Sequence, residues 1–247
     1  MKVLLTSTSF QDTPGKHQTA LEDTEWDIVR MRGPLKENQL LDIIADIDIV
    51  ICGDDEFTES VLKKGKENRL KGLSKYGVGL DSIDLDAAKL LELPVTNCPG
   101  VNQNGVAEHV FGLLLSYFRN IPSQHSTVQQ YSWQRLVGTE VSDKTLGVFG
   151  LGSVGKEVAK KARAWGMEVY VLDKFMDKDF IADHNLKIAR SIEDLVGKID
   201  ILSLNAPLNN ETERVICEDL LKEHVKPGIT KRPLAVLTMV IPEGDVW

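Results

Sequence analysis

Three glycines at set spacing, Gly150, Gly152 and Gly155, stand between a short apolar run, Thr145 to Phe149, and a helical segment, Ser153 to Trp165. A second apolar run, Glu168 to Leu172, ends at an acid, Asp173. Strand, glycine turn, helix, strand and carboxylate, in that order, are what a dinucleotide requires. Gly150 permits a tight turn out of the strand. Gly152 lets the backbone approach a pyrophosphate, and Gly155 lets the helix lie close on the strand. The helix N-terminus offers N–H groups and a partial positive charge to a phosphate. Asp173 can accept hydrogen bonds from ribose hydroxyls, and its charge would repel a 2′-phosphate. NAD is therefore favoured over NADP, a preference that Lys174 softens without reversing. The competing reading is a glycine-rich turn in an α/β core that binds nothing.

The elements that must position this turn come from the rest of the chain. Val3 to Leu5, Trp26 to Met31, Ile47 to Cys52, Gly72 to Tyr76 and Pro94 to Cys98 read as strands. Leu35 to Ala45, Glu59 to Lys66 and Leu85 to Glu92 read as helices between them. Such alternation predicts a parallel sheet with helices on both faces. Asn97-Cys98-Pro99-Gly100 is a turn signal. It is followed by a helix over Val106 to Asn120, with an apolar stripe at Val106, Val110, Leu113, Leu114 and Tyr117, stopped by Pro122. This helix is a plausible hinge between two domains, 1–99 and 100–247. After the glycine turn the alternation resumes with strands at Ile188 and Ile199 to Asn205, and helices at Ile192 to Val196 and Thr212 to His224.

Composition bounds the class. The chain has 247 residues, is 42% apolar and carries a net charge of −8, which argues against nucleic acid as the main partner. The longest apolar stretch, Val110 to Tyr117, is far too short to cross a bilayer. The chain opens directly on a strand-like Met1 to Leu5, so no signal peptide is expected. Cys52, Cys98 and Cys217 are odd in number and widely spaced, which suggests reduced thiols and a cytoplasmic location. No metal-ligating set is assigned.

Four ordered blocks carry a resemblance: Lys75 to Asp84; Asn97 to Asn102 with Val106-Ala107-Glu108; Lys144 to Gly155; and Leu202 to Pro207 leading to Glu211-Thr212. Over residues 1 to about 228 the chain resembles the D-isomer-specific 2-hydroxyacid dehydrogenases, the group that includes phosphoglycerate dehydrogenase. The resemblance implies two doubly wound parallel-sheet domains, a flavodoxin-like substrate domain and a Rossmann NAD domain, with a cleft between them. It implies that the backbone at Val78 and Gly79 holds the substrate carboxylate, as successive N–H groups of a turn can. Asn102 would be a polar contact near the cleft. Ser153 and Val154 would offer N–H groups to the pyrophosphate, and Ala206 and Pro207 would lie along the cofactor. Asn205 stands where many relatives carry histidine, a departure expected to be tolerated. A homodimer is implied, with Tyr117, Phe118 and Trp133 as candidate contacts.

The implied reaction is hydride transfer between the nicotinamide and C2 of a small D-2-hydroxy acid. In the family an arginine, a glutamate and a histidine orient the substrate and handle its proton. None of the three can be assigned here. Lys226-Pro227-Gly228 is present, but the arginine motif expected after it is not, and His17, His109, His125, His184 and His224 all precede the expected histidine. Segment 229–247 fits neither the family nor a natural ending, although Leu234 to Ile241 could form one strand. The second domain is therefore expected to be incomplete, by truncation or frameshift, and activity impaired. The alternative is a non-catalytic NAD-binding or assembly protein.

Overall fold

Alternate residues of each strand point to opposite faces, so a strand buried on both sides must be apolar at nearly every position. Strands such as Ile49–Cys52 and Ile201–Leu204 come close to that condition, and the computed structural model arranges the strands in two parallel sheets. It describes residues 1–209 and 211–220, together with the backbone of 234–237.

The chain divides into two compact units, one covering Met1–Val101 and one opening at Asn102. The first contains β1 (Lys2–Leu5), α1 (Thr8–Asp12), α2 (Lys16–Glu22), β2 (Asp27–Arg30), α3 (Glu37–Ile43), β3 (Ile49–Cys52), α4 (Glu59–Asn68), β4 (Gly72–Lys75), α5 (Leu85–Leu90) and β5 (Val95–Thr96), with a 3₁₀ turn at Ile44–Asp46. Its sheet runs β2-β1-β3-β4-β5, parallel throughout. Leu4 packs with Leu40, Val50, Leu62 and Leu73 in one core layer, while its neighbour Leu5 packs with Phe10 and Leu21 in another.

The second unit contains α6 (Gln103–Phe118), α7 (Ile121–Gln129), β6 (Thr145–Phe149), α8 (Ser153–Ala164), β7 (Glu168–Leu172), α9 (Lys178–Asp183), β8 (Lys187–Ile188), α10 (Ile192–Val196), β9 (Ile201–Leu204) and β10 (Leu234–Leu237). Its sheet runs β10-β9-β6-β7-β8, again parallel. The chain steps outward from β6 through β7 to β8, then returns to the other side of β6, which is the doubly wound pattern. The pleat sorts the side chains. Leu146, Val148, Val169, Val171 and Ile201 join α6 and α8 in one layer. Phe149, Tyr170, Leu172, Leu202 and Leu204 face Leu195 and Ile199 in the other.

Several expectations are corrected in detail. The helix expected over Val106 to Asn120 runs from Gln103 to Phe118. Its buried stripe is Ala107, Val110, Phe111 and Leu114, whereas Leu113 and Tyr117 are exposed. Asn120, at φ 55°, breaks it, and Pro122 sits in the first turn of α7 instead of ending α6. Helices α1, α2, α7 and α9 were not expected; α1 and α7 are poor in apolar periodicity, so the sequence signal is weak there. Glu211 to Arg214 form a turn, not the start of a helix, with helical backbone only at Glu218–Leu220; Leu221 to His224 lie outside the described residues. The strand expected over Leu234 to Ile241 is formed at Leu234–Leu237, and the rest of 229–247 lies outside the described residues. Among the described residues, no helix is long and apolar enough to cross a membrane.

Candidate functional site

Ligands of open α/β sheets bind at the carboxyl ends of the strands, where the winding reverses. In the second unit that place is the end of β6, flanked by β7 and β9. The turn Gly150 to Gly155 lies there.

Gly150 has φ +93°, a region that side chains rarely enter, and a Cβ there would collide with the backbone of Asn205 and Ala206. Its N–H donates to the carbonyl of Leu172 at 2.8 Å, and Asn205 N–H donates to the carbonyl of Phe149 at 2.7 Å. The turn is thus stitched to the ends of both flanking strands. A Cβ on Gly155 would collide with the carbonyl oxygen of Gly150, so only glycine lets α8 lie this close. Gly152 differs: it is exposed, and a Cβ there would meet nothing within 4 Å. The open space lies where a ligand's phosphates would approach the backbone. Gly152 is the N-cap of α8, no side chain caps the helix, and Ser153 and Val154 supply the first two residues of its opening turn.

Asp173 follows β7 and is held in place by two backbone amides. Leu151 N–H donates to its Oδ2, and Phe175 N–H donates to its Oδ1 at 2.7 Å. A carboxylate has about four lone-pair positions, so both oxygens can still accept from ribose hydroxyls. Ala206 and Pro207 follow β9 on the other side of β6, half-buried and exposed respectively. Asn205 donates from Nδ2 to the carbonyl oxygen and Oγ of Ser203, at 3.2 and 3.1 Å. The structure therefore gathers Gly150, Gly152, Ser153, Val154, Gly155, Asp173, Ala206 and Pro207 at one sheet end. A kinked glycine turn, an open approach, an uncapped helix N-terminus and a fixed carboxylate together fit a dinucleotide.

Sequence reading alone did not find the ion pair at this end. Lys174 Nζ donates to both carboxylate oxygens of Glu211, each at 2.9 Å. Lys174 stood out beside the acid, but nothing local marked Glu211 as its partner.

Val78 and Gly79 belong to the first unit, in the turn after β4, and Asn102 opens the second. The turn is braced from the β5 side: Asn97 Nδ2 donates to the carbonyl of Val78 at 2.8 Å, and Cys98 N–H to that of Gly77 at 2.9 Å. Nearby, the buried Lys75 ammonium donates to the carbonyl of Gly53 at 2.6 Å and to Asp54. Burial pushes the Cys52 thiol up to about 12, and the charge of Asp55 acts in the same direction. Such a thiol stays protonated and unreactive. Among the described histidines, His17 packs against Phe10 and Tyr76, and His184 stacks on Phe180.

Residues 111–230 match the family described as D-isomer specific 2-hydroxyacid dehydrogenase, NAD binding domain. The chain is 34% identical over 185 residues to D-3-phosphoglycerate dehydrogenase of Methanocaldococcus jannaschii, covering 74% of this chain and 35% of that protein. It is 31% identical over 198 residues to hydroxypyruvate reductase of Thermotoga maritima, covering 79% of this chain and 62% of the relative. Among solved structures, D-lactate dehydrogenase from Aquifex aeolicus, complexed with NAD and lactic acid, superposes with a TM-score of 0.76 at 28% identity. That match covers 89% of this chain and 65% of the other. The chain spans about a third of the length of the first curated relatives it matches.

Proposed function

We propose that this chain, whose residues 111–230 match the D-isomer specific 2-hydroxyacid dehydrogenase NAD-binding domain, is an NAD-dependent oxidoreductase acting on a small D-2-hydroxy acid. The observation that carries the reading is the turn at the end of β6, where Gly150 and Gly155 have no room for a side chain while Gly152 opens to solvent. Bound there, NAD supplies the hydride acceptor or donor, and the protein orients and polarises the substrate. In this proposal the amides of Ser153 and Val154 meet the pyrophosphate, Asp173 accepts from the adenosine ribose, and Ala206 and Pro207 flank the cofactor. The amides of Val78 and Gly79 hold the substrate carboxylate, with Asn102 a further polar contact. Residues 1–99 would form the substrate domain and 100–247 the NAD domain.

No motif assigns the arginine, glutamate and histidine of the family reaction to residues of this chain. The finer proposal is that these 247 residues bind cofactor with slow turnover. We further propose a cytoplasmic homodimer, with exposed Tyr117 and Trp133 beside Phe118 as its contacts; the free state of Cys52, Cys98 and Cys217 suits a reducing compartment. One experiment tests the core reading: titrate the chain with NADH by fluorescence, then follow NADH oxidation with hydroxypyruvate or glyoxylate. Saturable binding with slow oxidation is expected. Rapid turnover would refute the slow-turnover proposal, and absence of binding would refute the whole reading.

A further inference from the structure

In the proposed site, the ion pair between Lys174 and Glu211 lies beside Asp173, the carboxylate assigned to the ribose, where the two coenzymes differ. Lys174 follows β7 and Glu211 lies in the loop after β9, so the pair joins the segments that follow the two strands flanking β6. It is bidentate at 2.9 Å, with both side chains largely exposed, at 65% and 69%. Glu211 is held on its own side. Asn209 Oδ1 accepts from Glu211 N–H at 2.9 Å and from Thr212 N–H at 3.1 Å, while Thr212 Oγ1 donates to the carbonyl of Pro207 at 2.6 Å. On the other side, the carboxylate of the neighbouring Asp173 is anchored by the Leu151 and Phe175 amides. One ammonium and two carboxylates stand at this end, one of them paired with the ammonium, so the local formal charge is negative.

A free lysine beside Asp173 would attract a 2′-phosphate, which carries nearly two negative charges. With its ammonium bound to Glu211, Lys174 has less to offer. We infer that Glu211 is a specificity-determining residue: it sequesters Lys174 and so reinforces the preference of Asp173 for NAD over NADP. The inference rests on the proposed cofactor site and concerns which coenzyme that site accepts. Exposed ion pairs are weak, so the effect is modest, about threefold in the ratio of affinities, and larger at low ionic strength.

The test is fluorescence titration of the full chain with NADH and NADPH at low salt, for the wild type, E211Q, K174Q and the double variant. A melting curve for each variant controls for folding. In E211Q the ratio of the NADPH to the NADH dissociation constant should fall about threefold. In the K174Q background the same substitution should leave that ratio where it was. An unchanged ratio in E211Q, with NADH still binding, overturns the inference alone. An equal fall in both backgrounds overturns it too, since Glu211 would then act by direct repulsion and not through Lys174. Failure of the wild type to bind NADH removes the cofactor site and the inference with it.

Discussion

The three glycines of the cofactor turn do different work, and substitutions should separate them. Gly150 is required by the fold: its φ is +93° and backbone atoms of the β9 loop occupy the space of a side chain. Gly150→Ala should destabilise the second unit by about 1–3 kcal/mol, the usual cost of a strained, overpacked position. Gly152 is not required by the fold, because nothing in the protein stands near its missing Cβ; in the proposed site it leaves room for the ligand. Gly152→Ala should change stability by less than about 1 kcal/mol and yet weaken NADH binding about tenfold or more. Urea unfolding and NADH titration of both variants check the pair, and equal effects on stability would contradict the assignment. The glycines were legible in the sequence because turn chemistry is local: a few adjacent residues determine who can adopt the conformation. Glu211 was not legible as the partner of Lys174, because the two meet only after β7 and β9 are placed on either side of β6.

Helix α6 shows how burial, and not hydrophobicity, sets the value of a residue. Leu113 and Leu114 are adjacent and chemically identical, but Leu114 is fully buried against the sheet and Leu113 is 42% exposed. Leu114→Ala should cost about 2–5 kcal/mol through lost burial and a cavity, and Leu113→Ala well under half of that. Chemical denaturation of the two variants measures the difference, and similar losses would mean that the helix presents another face. The periodicity placed both leucines on one stripe, because neighbouring positions on an apolar helix are ambiguous until a partner surface chooses between them. The misjudged elements have similar causes. The polar start at Gln103, Asn104 and Gly105 concealed the first turn of α6. Where a helix is expected from Thr212 the chain forms a turn, in which the Asn209 side chain accepts from the N–H groups of Glu211 and Thr212.

At the scale of the molecule, the cofactor proposal makes a spatial prediction. NADH should slow amide hydrogen exchange in the glycine turn, the first turn of α8 and the segment after β7, and leave the α3 and α4 amides of the first unit unchanged. Uniform protection across both units, or none at the turn, would contradict the placement. Alternating strands and helices, a parallel sheet with helices on both faces, and a dinucleotide turn followed by an acid were all determined by the sequence itself. Each depends on apolar period, turn residues or spacing over a few tens of positions. Tertiary structure alone decided which strands flank β6, which of two adjacent leucines is buried, that Lys75 is tied to Asp54, and that Glu211 holds Lys174. Those outcomes depend on contacts between segments distant in the chain, and only the order of strands in the assembled sheet brings the segments together.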